Sequence, residues 1–249
     1  MFKSVLKIGA LGLIVVVVMI SLAFSSSQLS KVKCSDLVII IPDDSPRFID
    51  EDQIKGLVKK ADSKLFDQKL DDINTEKLEQ ALKKETAIKN VEVYQRVVGS
   101  SMDFKGRLMV EVEQRNPVVR VRNGKEDFYM DKDGVKIPAN DRFTAKVLLV
   151  NGHCDAGYVR KELLPLINYI DKSEFWKAQI EQMYVDNSGE ITMAPLVGDQ
   201  LIEFGDASDY RVKLRNLKAL YEQAFPKKGW DYYSTINLKY TNQVVCTKK

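Results

Sequence analysis

His153 is the one histidine in this 249-residue chain, and it stands directly before Cys154. A cysteine beside a histidine suggests a nucleophile and its base. Side chains adjacent in sequence on a strand or turn point apart, however, and catalytic pairs are assembled by the fold. A lone histidine cannot furnish a two-histidine metal site, and Cys34, Cys154 and Cys246 follow no C-x-x-C spacing. Two of the three could pair in an oxidising compartment, and the sequence does not choose the pair. The run DKDG (131–134) opens like a calcium loop but lacks the third acidic ligand and the closing Glu, so it reads as a hairpin turn with Asp-Gly supplying positive φ. In GDASD (205–209), Ser208 or Asp209 reads as a helix N-cap.

Phosphate loops, dinucleotide fingerprints, nucleophile elbows and HExxH are all missing from the sequence. Arg211, Arg215 and Lys218 line one helix edge without interleaved aromatics, which describes a solvated face better than a nucleic-acid track. The 38 basic and 35 acidic residues leave a net charge of +3, too little for a global field. The expectation is a protein that is not an enzyme and uses no metal, no cofactor, no nucleic acid and no small-molecule substrate.

The elements around these residues say more. Residues 8–24 form an almost wholly apolar run without a charge. As a helix rising about 1.5 Å per residue it covers roughly 25 Å, and Ser25 to Ser27 can extend it toward the bilayer core thickness. Lys3 and Lys7 precede it, which keeps residues 1–7 cytoplasmic and exports the remainder. Ala23-Phe24-Ser25 also resembles a cleavage site, but the run exceeds the 7 to 15 residues of an ordinary leader core. The reading is an uncleaved single-pass anchor in the inner (plasma) membrane, followed by a polar spacer, 25–35.

A first domain, 36–116, reads as β-α-α-β-β. LVIII (37–41) is a strand. Asp50 with Gln53, and Asn74, are N-caps of two short helices whose apolar positions include Ile54, Leu57, Val58, Ala61, Leu78 and Leu82. VEVYQRVV and RLMVEVEQ alternate as two strands, with Val91, Val93, Leu108, Val110 and Val112 on one face and a loose loop, GSSMDFKG, between them. A second domain, 117–249, carries seven further short strand runs from VVRV to LIEFG. Among them, RKELLPLINYI buries Leu163, Ile167 and Ile170, and YRVKLRNLKALYEQAF buries Tyr210, Leu214, Leu217, Tyr221 and Phe225. The fold class is α+β, the second sheet mainly antiparallel with helices packed on it.

This order, together with VEQRNPVVRV (112–121), FYMDKDGVKIP (128–138), LIEFG (201–205) and INLKYTNQVV (236–245), resembles the bacterial cell-division protein family FtsQ, also called DivIB, with its POTRA and β domains. Against the family pattern Gln114 replaces the usual Glu, Gln243 stands where a turn Gly is common, the Trp-Pro before the third POTRA strand is missing, and no aromatic ends the chain near Lys248. The resemblance implies a non-enzymatic scaffold in septation, with division proteins such as FtsB and FtsL as partners. A strand left open at the C-terminus could bind an extended partner by β-augmentation. The residues expected at that edge are Leu238, Lys239, Tyr240, Gln243, Val244, Val245 and Cys246, with Tyr240 as aromatic anchor and Lys239, Lys248 and Lys249 steering acidic partners. The alternative is a tethered exported hydrolase or ligand-binding protein with a pocket near His153 and Asp155.

Overall fold

The computed structural model describes residues 12–20, 31–100, 103–240 and 243–249. Residues 12–20 are helical and carry exposed Leu13 to Ile20. Among the described residues no helix is long and apolar enough to cross a membrane, and the remainder of the expected span 8–24 lies outside them. The chain divides into two compact units, one continuing to Gln114, the other running from Arg115 to Lys249 and also taking Pro46–Phe48.

The first unit begins with β1 (Cys34–Ile40), followed by α1 (Glu51–Ala61), a 3-10 turn (Leu70–Asp72), α2 (Thr75–Leu82), β2 (Ile88–Ser100) and β3 (Asp103–Gln114). Both helix starts are fixed by side chains. Asp50 Oδ1 accepts the N–H of Gln53 at 2.8 Å while Gln53 Oε1 accepts that of Asp50 at 3.0 Å, and Asn74 Oδ1 accepts the N–H of Lys77 at 2.8 Å. These bonds satisfy donors that no helical carbonyl can reach. The sheet order is β1-β3-β2, with β1 parallel and β2 antiparallel to β3. Ile54, Val58, Leu78 and Leu82 from the helices bury against Val91, Val93, Leu108, Val110 and Val112. Each such side chain contributes about 1.5–3 kcal/mol relative to exposure.

The loop between β2 and β3 is tighter than its sequence suggests. Ser100 faces Asp103 and Gly99 faces Phe104, so the strands consume most of GSSMDFKG. Gly, Ser and Asp read as loop formers, yet at a hairpin end cross-strand hydrogen bonding outweighs their weak strand propensity.

The second unit holds one nine-stranded sheet. In chain order its strands are β4 (Pro117–Arg122), β5 (Asp127–Asp131), β6 (Lys136–Pro138), β7 (Leu148–Gly152), β8 (Ile180–Val185), β9 (Ile191–Pro195), β10 (Leu201–Gly205), β11 (Tyr233–Asn237) and β12 (Val245–Lys248), and the spatial order is β12-β11-β10-β9-β8-β7-β4-β5-β6. The pairs β4–β7, β7–β8 and β10–β11 are parallel and the other five antiparallel. The parallel pairs β7–β8 and β10–β11 arise where helices fill the connection, since parallel neighbours need a long crossover.

Between β7 and β8 lie α3 (Ala156–Tyr158), a π turn (Val159–Leu163), α4 (Leu164–Asp171) and α5 (Glu174–Lys177); between β10 and β11 lie α6 (Tyr210–Gln223) and α7 (Phe225–Lys228). The single helix expected over RKELLPLINYI is thus interrupted. Pro165 has no N–H to give, and Leu164 N–H reaches back to Val159 O, so the backbone widens there. The α5 turn around buried Trp176 was not expected; Ser173 caps it through Trp176 N–H at 3.3 Å. Leu163, Ile167, Ile170, Leu214, Leu217, Tyr221 and Phe225 all bury in this unit's core, while Tyr210 is only partly covered.

Candidate functional site

The chain's last two strands form the end of the nine-stranded sheet. β11 is held on one side by β10 in parallel register, Leu201 beside Thr235 and Glu203 beside Asn237. On the other side it meets β12 antiparallel, with Asn237 opposite Val245, Ile236 opposite Cys246 and Thr235 opposite Thr247. Among the described residues no strand follows β12 on its free side. Such an edge offers a ladder of main-chain donors and acceptors to any extended peptide.

Alternation decides which side chains are available. Ile236 and Cys246 turn inward against the core together with Ile202, whereas Val245 is 44% exposed and Thr247 is exposed. Tyr240 is 55% exposed in the connection between the strands. Glu203 ties β10 to the start of that connection: its main-chain oxygen accepts Leu238 N–H at 2.9 Å and its carboxylate accepts the Asn237 amide at 2.6 Å.

The seven residues expected at the edge therefore separate. Val245 and Cys246 are on β12, Cys246 facing inward; Tyr240 and Gln243 are exposed in the connection, and Val244 is half-buried against the core. Leu238 lies in the core, 1% exposed, because Ile236 and Leu238 continue the inward face of β11. Lys239 is already engaged: its ammonium pairs with Glu190, which holds its pKa above the ordinary lysine value, and its stem lies over Gly205. Lys249 is likewise paired, with Asp199 at 2.6 Å and Asp231 at 3.8 Å, and Lys248 Nζ sits 5.7 Å from the Tyr232 ring centre. Exposed pairs of this kind contribute about 0–1 kcal/mol. Their effect is to pin the chain end beside its own sheet.

Leu201, 52% exposed, and Tyr184, 46% exposed, add apolar surface on β10 and β8. The signal was in LIEFG: with Ile202 and Phe204 inward, Leu201 must face out.

The other candidates resolve locally. Cys154 is buried, with its pKa pushed up to about 11 by desolvation, while neighbouring His153 is exposed and gives its main-chain N–H to Val185 O at 2.8 Å. All three cysteines are free. DKDG is a turn: Asp131 Oδ1 accepts from Asp133 N–H and Val135 N–H, Asp131 Oδ2 accepts from Arg115 at 2.8 Å, and Gly134 has φ +80. Among the described residues no group of His, Cys, Asp and Glu is arranged to hold a metal. Asp209 does occupy the N-cap of α6, but in a left-handed conformation with φ 48, and its side chain caps nothing. Asp206 takes the local bonds instead, accepting from Ser208 and from Lys213 Nζ at 2.8 Å, and Lys213 followed by Ser208 pulls its carboxyl down to about 2. A cavity of about 450 Å³ opens between β7, β8, α4 and α5, with Leu148, Ile167, Ile170 and Ile180 among its lining; neither His153 nor Asp155 borders it.

Comparison with known proteins places both units. A POTRA-like domain model matches residues 32–100, and a model described as FtsQ/DivIB, C-terminal related, matches residues 116–247. No curated protein matches the chain. The second match spans more than half of the 249 residues and ends within β12, and the chain belongs to the FtsQ/DivIB family.

Proposed function

We propose that this chain is a membrane-anchored, non-enzymatic scaffold of the bacterial division machinery, and that β12 receives an extended segment of a second division protein, of the FtsB or FtsL kind, as a further strand. Family membership supports the coarser reading, a division scaffold. The observation that carries the finer one is the position of β12, last in its sheet and bordered by a strand on one side. Main-chain pairing would supply register, and Tyr240 with Val245 would supply side-chain anchors, since an exposed aromatic beside a free edge gives contact area at low entropic cost.

Residues 8–24 form the anchor, with 1–7 cytoplasmic and both folded units on the other side of the inner membrane. Neither proposed role asks for a cofactor or small-molecule substrate.

Depletion tests the reading as a whole: cells that lose the protein grow as filaments with unseparated septa, and normal division removes the proposal. Capture of FtsB-like and FtsL-like segments by the full chain tests the edge, which is rejected if Tyr240→Ala and Val244→Pro both bind as the parent does.

A further inference from the structure

In the first unit the apolar face of the sheet outruns the helices that cover it. Val91 and Val93 on β2, with Leu108, Val110 and Val112 on β3, are buried beneath α1 and α2. By alternation Val97 and Phe104 belong to the same face, yet each is 37% exposed, because the hairpin continues beyond the helices. Phe66, in the connection after α1, is 43% exposed. It belongs to the same end of the unit: Gln68 O accepts Cys34 N–H at 3.3 Å, and Lys33 O accepts Gly106 N–H at 3.2 Å. These bonds hold residues 33 and 34 between β3 and the segment before the 3-10 turn.

The direction of this end follows from the register. β1 and β3 are parallel with Cys34 beside Gly106, so the path back from Cys34 toward the N-terminus runs the way β3 runs back from Gly106 toward the hairpin end. That end projects three residues past Gly106, about 10 Å. Only residues 25–31 separate the apolar run from the Val32–Lys33 segment fixed in the unit, a reach of at most about 25 Å. Lys31, Lys33, Lys69 and Arg96 are exposed at this end. Of the acids nearby, Asp36 pairs with Arg107 at 3.4 Å, and Asp62 accepts from Lys64 N–H and the Gln68 amide; Asp67, Asp71 and Asp72 are exposed on the segment around Lys69.

We infer that the β2–β3 hairpin end is a second membrane contact: Phe66, Val97 and Phe104 enter the headgroup region of an anionic bilayer, and the lysines and Arg96 bind its lipid phosphates. Apolar side chains ringed by basic ones suit this interface, where burial and anionic attraction add. The lipid surface is the occupant because the short tether holds this end beside it. The inference rests on the proposed anchor. Two contacts, the span and the hairpin, would fix the unit's tilt, which a single point of attachment could not.

The test uses the full chain reconstituted in phosphatidylethanolamine–phosphatidylglycerol vesicles with brominated acyl chains, as Phe104→Trp and, at the opposite end of β2, as Lys89→Trp. Emission of the parent, which holds two tryptophans, is subtracted. The added emission of F104W is expected to shift to shorter wavelength and lose most of its intensity to bromine, that of K89W to do neither, and quenching of F104W to weaken in phosphatidylcholine alone. Equal quenching of the two variants overturns the contact, and equal quenching of F104W in both lipids overturns the role of the basic residues. Carbonate extraction of the same vesicles reports the anchor separately: release of the chain contradicts the span, whereas quenching still decides the hairpin.

Discussion

Val245 stands opposite Asn237 in the last antiparallel pair of the sheet, with its side chain 44% exposed and no described strand on its other side. Leu238, the residue directly after Asn237, has the reverse environment, 1% exposed in the core. This contrast between neighbours at one sheet end separates binding from stability.

Tyr240→Ala removes an exposed ring, so the unfolding free energy should stay within about 0.5 kcal/mol of the parent's. Affinity for an FtsB-like segment should fall roughly thirtyfold, the equivalent of about 2 kcal/mol at a hot spot. Titration calorimetry with the full chain in detergent checks the affinity and a thermal unfolding curve checks the stability; a large loss of stability would place Tyr240 in the fold.

Leu238→Ala should behave oppositely. Truncating a buried leucine costs about 3 kcal/mol or more through lost burial and a residual cavity. Urea unfolding of the second unit reads it directly. An unchanged midpoint would mean that Leu238 is not the core residue described.

Gln114 is 2% exposed and makes a reciprocal pair with one residue: its Oε1 accepts Ile49 N–H at 3.1 Å, and its Nε2 donates to Ile49 O at 2.8 Å. A carboxylate can accept but not donate. Gln114→Glu should cost about 2 kcal/mol at neutral pH, and part of the loss should return in acid, where a protonated carboxyl can donate. A pH series of unfolding curves checks it; equal cost at both ends would contradict the pairing.

Asp206 supplies a native acid dependence. Lys213 and Ser208 depress its pKa from 3.8 to about 2, so it stabilises the fold above the unfolded value, and this contribution is lost as pH falls through about 2. The carboxylate is 72% exposed, which limits the effect to about 1 kcal/mol or less after screening. Asp206→Asn should lower stability at pH 6 by that amount and flatten the slope between about pH 4 and 2. A slope identical to the parent's would contradict the assignment.

Much of this was readable in the residues. Asp50 with Gln53, and Asn74, announced both caps of the first unit, and the alternation of Val91, Val93, Leu108, Val110 and Val112 announced its sheet, because these signals are local. Asp209 stands at the N-cap position read from the sequence, but residue preference says nothing of a backbone turned to φ 48, in which its side chain caps no amide. The edge was harder still. Lys239 looks like a free basic residue until Glu190, 49 positions away, is brought beside it, and Leu238 looks like part of an exposed strand until the β10–β11 register carries it inward. Such long-range pairing is a property of the folded sheet.

Hydrogen–deuterium exchange on the full chain, with and without an FtsB-like segment, addresses the open ladder most directly. Complex formation should slow exchange of the amides in Val245–Lys248 that face away from β11, because a new strand would take their hydrogen bonds. Binding that leaves those amides exchanging at the free rate, with protection confined to another surface, would contradict the account.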